Sequence, residues 1–124
     1  MLLPPRIPKS GLPARRSKPP RTGMSCDHLA FLRRLECPVH PGERPIEAHH
    51  LLRADRTRGM GRKAADRYAI PLSQRAHRAL HAAGDEEAWL AAKGIDGRAL
   101  AAALWRISGD LEAGLRIVYR AIGL

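Results

Sequence analysis

An α+β fold is what this sequence predicts, on three observations. Two short strand-like segments, residues 45–52 and 68–72, flank a basic glycine-containing loop. The second runs directly into a helical stretch that carries His77 and His81. One short amphipathic segment precedes this unit, and three helical segments follow it.

Residues 1–25 hold Pro4, Pro5, Pro8, Pro13, Pro19 and Pro20 among Arg6, Lys9, Arg15, Arg16, Lys18 and Arg21, with no acid, and read as a disordered basic arm. Asp27 is expected to cap a helix over His28–Glu36 whose apolar face is Leu29, Phe31, Leu32 and Leu35, with His28 on the surface. Cys37-Pro38-Val39-His40 has the Cys-x2-His spacing of half a zinc knuckle, and Pro41-Gly42 supplies its turn. Ile46, Leu51 and Leu52 mark the first strand, which delivers His49 and His50 to one end of a hairpin. The loop from Arg53 to Arg67 is centred on Gly59-Met60-Gly61. Its Arg53, Arg56, Arg58, Arg62, Lys63 and Arg67 outnumber Asp55 and Asp66, as a DNA clamp requires.

After the returning strand, Ser73 and Gly84 bound the histidine helix, as N-cap and stop. Residues 26–84 thus form the core unit. Residues 85–124 form a helical extension packed on it, in three helices over Glu86–Lys93, Arg98–Ile107 and Asp110–Ile122. Leu100, Leu104 and Ile107, then Leu111, Leu115, Val118 and Ile122, recur at helical spacing, and Trp89 and Trp105 are expected as core anchors.

A chain of 124 residues, 44% hydrophobic and 4% aromatic, supports one modest core. Its net charge of +10 favours a polyanionic partner, either nucleic acid or an anionic membrane surface. The residues from Asp85 onward carry a net charge of −1, so residues 1–83 carry +11, and the polyanion contact is expected on the histidine half. No apolar run approaches the roughly 18 residues of a membrane span. Met1-Leu2-Leu3 is stopped by Pro4-Pro5 before a secretory signal can form, so a cytoplasmic location is expected. In that reducing compartment Cys26 and Cys37 are expected to stay unbridged. The chain has no internal repeat and no Gly-rich phosphate motif.

Of six histidines, four fall in His49-His50 and His77-x3-His81. A separation of i, i+4 stacks two imidazoles on one helix face, where they can share a metal. With His49 they make a three-nitrogen site that leaves a coordination position open, as a catalytic centre needs. All-nitrogen ligation favours zinc, nickel or manganese over magnesium as the single divalent ion. His50 is then free to act as a general base near neutral pH. A zinc peptidase is excluded, because Arg78 stands where such enzymes carry the water-activating Glu.

This order of strand, loop, strand and helix, bearing His-His and then His-x3-His, resembles the HNH, or His-Me finger, endonucleases. More narrowly, several pieces look like the small phage and prophage nucleases of the recombination-enhancement type: His28-Leu29-Ala30-Phe31 leading to Cys37, Ile46-Glu47-Ala48-His49-His50, Gly59-Met60-Gly61-Arg62-Lys63 with Asp66-Arg67, Ile70-Pro71-Leu72, His77 with His81, and Gly94-Ile95-Asp96. The resemblance runs from about Asp27 to Trp105. It implies a ββα-metal, treble-clef-like core, one divalent ion, DNA as substrate, recombination proteins as further partners, and products with 5′-phosphate and 3′-hydroxyl ends. By the same resemblance His50 is the general base and His77 the helix ligand, while His49 and His81 complete the three-histidine pattern of the nuclease colicins.

The chain departs from that pattern in two places. His40 stands where relatives carry a second Cys, and Ser73 and Ala76 stand where they carry Cys plus His or Cys, so no four-ligand structural zinc is expected. The Asn of the HNH name falls near Tyr68, with Asp66 close by as a substitute, and either is a candidate to orient His50. The rival expectation is a DNA-binding module of this fold without catalysis.

Overall fold

The structure, a computed structural model, describes residues 26–51 and 65–124. In order, its elements are α1 (Cys26–Arg33), β1 (Ile46–His50), a 3-10 turn (Asp66–Tyr68), β2 (Ala69–Ser73), α2 (Gln74–Ala83), α3 (Glu86–Ala92), α4 (Gly97–Arg106) and α5 (Leu111–Ile122). This is a small α+β arrangement of helices around a two-stranded sheet. The basic arm and most of the basic loop, with Arg15, Arg16, Arg53, Arg56, Arg58, Arg62 and Lys63, lie outside the described residues.

The strands are antiparallel, with partners running from Ile46 opposite Ser73 to His50 opposite Ala69 in one unbroken register. Side chains alternate along a strand, so Glu47 and His49 share one face of β1 while Ile46, Ala48 and His50 share the other. No loop separates β2 from α2. Ser73 ends the strand and caps the helix, its Oγ accepting from the Ala76 amide at 3.2 Å. Gly84, at φ 83°, stops α2 in a backbone conformation that other residues rarely adopt.

Asp85, Asp96 and Asp110 each accept from the amide three residues on, at 3.1 Å, and so start α3, α4 and α5. Each such cap contributes about 1 kcal/mol. Helix α1 ends earlier than expected. Beyond Arg33 the chain tightens through Arg34 N–H to Phe31 O and Leu35 N–H to Leu32 O, and Pro38 biases Cys37 away from helical angles.

The core gathers Leu32 and Leu35, Ile70 and Leu72 of β2, Leu80 of α2, Leu90 of α3, Leu104 of α4 and Val118 of α5. α3 packs on α2, while α4 packs on β2 and the 3-10 turn. Three expectations need correction. His28 is buried, because its ring packs at 4.8 Å edge-on against Trp105 and its Nδ1 lies 2.7 Å from Ser108 Oγ in the α4–α5 turn. Trp105 is 39% exposed and so is no core anchor. Trp89 is only partly buried, its ring 5.4 Å from the Lys93 ammonium. Among the described residues no helix is long and apolar enough to cross a membrane.

Candidate metal centre

The face of β1 that carries Glu47 and His49 lies under α2, and α2 presents His77 and His81 to it from successive turns. The ring of His49 is 5.0 Å from that of His77 and 5.3 Å from that of His81. One nitrogen from each of the three lies within 4.8 Å of the others. Points so spaced share a centre no more than about 2.8 Å away, against roughly 2.0–2.1 Å for a Zn–N bond, so each nitrogen would have to draw in by under about 1 Å to hold one zinc ion. His77 Nε2 and His81 Nε2 share a hydrogen bond at 2.9 Å, whose proton an ion would displace, and that separation falls in the range of neighbouring ligands around an ion at such bond lengths, about 2.9–3.4 Å.

Two of the three rings face a carboxylate with their second nitrogen. His49 Nε2–H donates to Glu86 Oε2 at 2.9 Å, with both side chains buried, which leaves the lone pair on Nδ1. His77 Nδ1 is 3.6 Å from Glu47 Oε2. A carboxylate behind a histidine fixes its tautomer and raises its basicity toward a metal. Burial depresses the His49 pKa; Glu86 opposes that, and His77 and His81 add to it. Burial, then the His81 charge, depresses that of His77. Both imidazoles are therefore biased toward the neutral form that binds metals. Burial falls from His49, enclosed, through His77 to His81, exposed, so the centre opens toward solvent on the α2 side. The donor set fits a single divalent ion.

His50, the last residue of β1, turns from this cluster as alternation requires. Its Nε2–H donates to Asp66 Oδ1 at 2.7 Å, and Asp66 is buried in the 3-10 turn. Of the two candidate orienters, Asp66 is the one in contact; the Tyr68 ring instead lies against the Arg67 guanidinium, 5.0 Å away. Glu86 and Glu47 are not among the residues expected beside the histidines. Glu47 was legible, since two residues before His49 on a strand means the same face, whereas nothing local marks Glu86, 37 residues from its partner.

Among the described residues, the side chains around the half-knuckle do not gather into a group of three or more metal-ligating residues. Buried Cys37 Sγ accepts the His40 amide at 3.3 Å, and Glu36 accepts the amide of Gly42, whose φ is 85°. Arg44 donates to the Leu35 carbonyl at 3.1 Å. Ser73 Oγ donates to Glu43 at 3.3 Å, and Ala76 offers no ligand. Cys26 is exposed, and neither cysteine is bridged. A cavity of about 530 Å³ between α3 and α4, lined by Leu51, Leu90, Ile95 and Gly97 among others, contains none of the histidines.

A family model described as "Protein of unknown function (DUF968)" matches residues 13–107, and the chain belongs to that family. Neither the curated proteins nor the solved structures gave a match.

Proposed function

We propose that this member of the DUF968 family is a metal-dependent DNA endonuclease with a ββα-metal core, in which His49, His77 and His81 hold one divalent ion and His50 is the general base. One observation carries the reading: at the end of a single strand, three imidazoles gather within 4.8 Å, and the next residue, a fourth imidazole, is tied at 2.7 Å to a buried carboxylate. Ligands and base are thus separate groups, so an ion held by the three leaves His50 free to take a proton.

A bound divalent ion would supply Lewis-acid stabilisation of the charge growing on the phosphate oxygens. Asp66 holds the proton of His50 on Nε2 and leaves the lone pair on Nδ1. Nδ1 takes a proton from water as the water oxygen bonds to phosphorus. The P–O3′ bond breaks, the 3′-oxygen is protonated from solvent, and the products carry 5′-phosphate and 3′-hydroxyl ends. Glu86 keeps His49 in the tautomer that binds metal, and the Glu47 carboxylate lies 3.6 Å from His77 Nδ1. Arg67, with the basic residues of the arm and loop, contacts the DNA backbone. Recombination of phage or prophage DNA is the setting this activity would serve.

The test is cleavage of plasmid DNA by the full chain with added manganese, nickel, zinc or magnesium, beside His50→Ala. Ion-dependent nicking or linearisation that His50→Ala lacks supports the reading. DNA binding with no cleavage under any ion would leave a DNA-binding module of the same fold.

A further inference from the structure

Charge along the chain places the excess of cations before residue 84, yet the fold brings arginines from both halves to one cleft. Arg67 and Tyr68 of the 3-10 turn, with Arg98, Ala102, Trp105 and Arg106 of α4, line a hollow of about 220 Å³. We propose that this cleft binds an unpaired nucleotide of a DNA strand, with the base on Trp105 and the phosphates on Arg67 and Arg106. The proposal deepens the nuclease reading and rests on it for the choice of DNA.

An apolar ring at 39% exposure usually marks either tolerance or use, and the setting of Trp105 favours use. Buried His28 packs edge-on against it at 4.8 Å, and Ser108 holds His28 at 2.7 Å. The indole is thus held in place while its surface stays accessible, which is what a stacking platform requires. Arg67 and Arg106 are exposed beside it, and the Arg67 guanidinium lies over Tyr68. The residues lining the cleft include no acid, and Arg98 within it is paired with Glu87 at 2.6 Å.

Two parts of the chain outside the described residues are alternative occupants, but charge speaks against both. Residues 1–25 contain no acid, and residues 52–64 carry five cations, Arg53, Arg56, Arg58, Arg62 and Lys63, against Asp55 alone. A basic cleft repels such segments and attracts a polyanion. The cleft also adjoins the proposed chemistry, since Asp66, which holds His50, directly precedes Arg67 in the same turn.

The experiment titrates full-length His50→Ala protein, which removes cleavage from the measurement, with a thymidine oligonucleotide and with a duplex of equal length. Binding is followed by anisotropy and by tryptophan fluorescence. Expected are quenching by the single strand, a loss of about 5- to 150-fold in single-strand affinity on adding Trp105→Ala, and retention of most affinity with Trp105→Phe. Adding Arg106→Ala should make the log affinity against log salt slope shallower by about 0.7. Circular dichroism and metal affinity, unchanged in all variants, establish that the fold is intact. Unchanged single-strand affinity in Trp105→Ala overturns the proposal, as does an equal loss for duplex, which would mark a backbone patch without stacking. Because no arm of this titration depends on cleavage, its failure leaves the plasmid test untouched, and the reverse holds too.

Discussion

His50 and Asp66 meet at 2.7 Å across the end of the sheet, joining the last residue of β1 to the 3-10 turn that precedes β2. Asp66 is 2% exposed, so its acceptor oxygen is fixed by packing. His50→Ala should lose roughly two to four orders of magnitude in cleavage rate while keeping its metal. Asp66→Asn can turn its amide N–H toward Nε2 and force the proton onto Nδ1, and should also lose rate at saturating ion. Single-turnover rates paired with metal titrations check both. Loss of metal in His50→Ala, with metal kept in His49→Ala, would exchange the two roles.

Removal of a ligand differs in kind from removal of a base. His49→Ala, His77→Ala and His81→Ala should each weaken binding of the divalent ion in calorimetric titration. Excess metal should restore part of their activity and none of that lost in His50→Ala. Equal metal affinity in wild type and all three variants would remove the centre from these residues.

No structural zinc is expected at the knuckle. In the His49→Ala, His77→Ala, His81→Ala triple variant, mass spectrometry under native conditions should find the protein without zinc, since Cys37 is engaged by the His40 amide and Ser73 by Glu43 and Ala76. One zinc retained per chain would mean that Cys37 and His40 recruit ligands from elsewhere.

Acid should destabilise the metal-free protein. Burial lowers the native pKa values of His28, His49 and His77 below the ordinary 6.5. Between those lowered values and 6.5 the unfolded chain binds more protons than the native one. The stability these groups contribute is therefore complete above 6.5 and is lost as pH falls through it toward the native values. Calorimetry in the presence of a chelator should show Tm falling between pH 7.5 and pH 5; a Tm that rises over that interval contradicts the burial of these rings.

Gly114 lets α5 approach α1. A Cβ there would lie 2.7 Å from Phe31 Cζ and 2.8 Å from Leu35 Cδ2, both on buried side chains with little room to yield. Overpacking costs about 1–3 kcal/mol, which outweighs the gain of about 1 kcal/mol from replacing a helical glycine by alanine. Gly114→Ala should lower unfolding stability by up to about 2 kcal/mol in denaturant titration, and Gly114→Val by more.

The sequence by itself determined what periodicity and local chemistry can carry. Helical spacing placed Leu100 and Leu104 on α4 and Leu115 and Val118 on α5, and the Ser73 and Gly84 signals bounded α2. Separation by four residues put His77 and His81 on one face, and strand alternation set His49 against His50. Only the tertiary structure decided what stands behind each imidazole. Glu86 reaches His49 because α3 packs on α2, and Asp66 rather than Tyr68 reaches His50 because the turn buries the carboxylate. Packing also reversed two expectations, burying His28 beneath α4 and leaving Trp105 at the surface among arginines from both halves of the chain. The physical reason is range: propensity and pattern act over a few residues, whereas burial and hydrogen-bond partners are set by elements tens of residues apart competing for the same core.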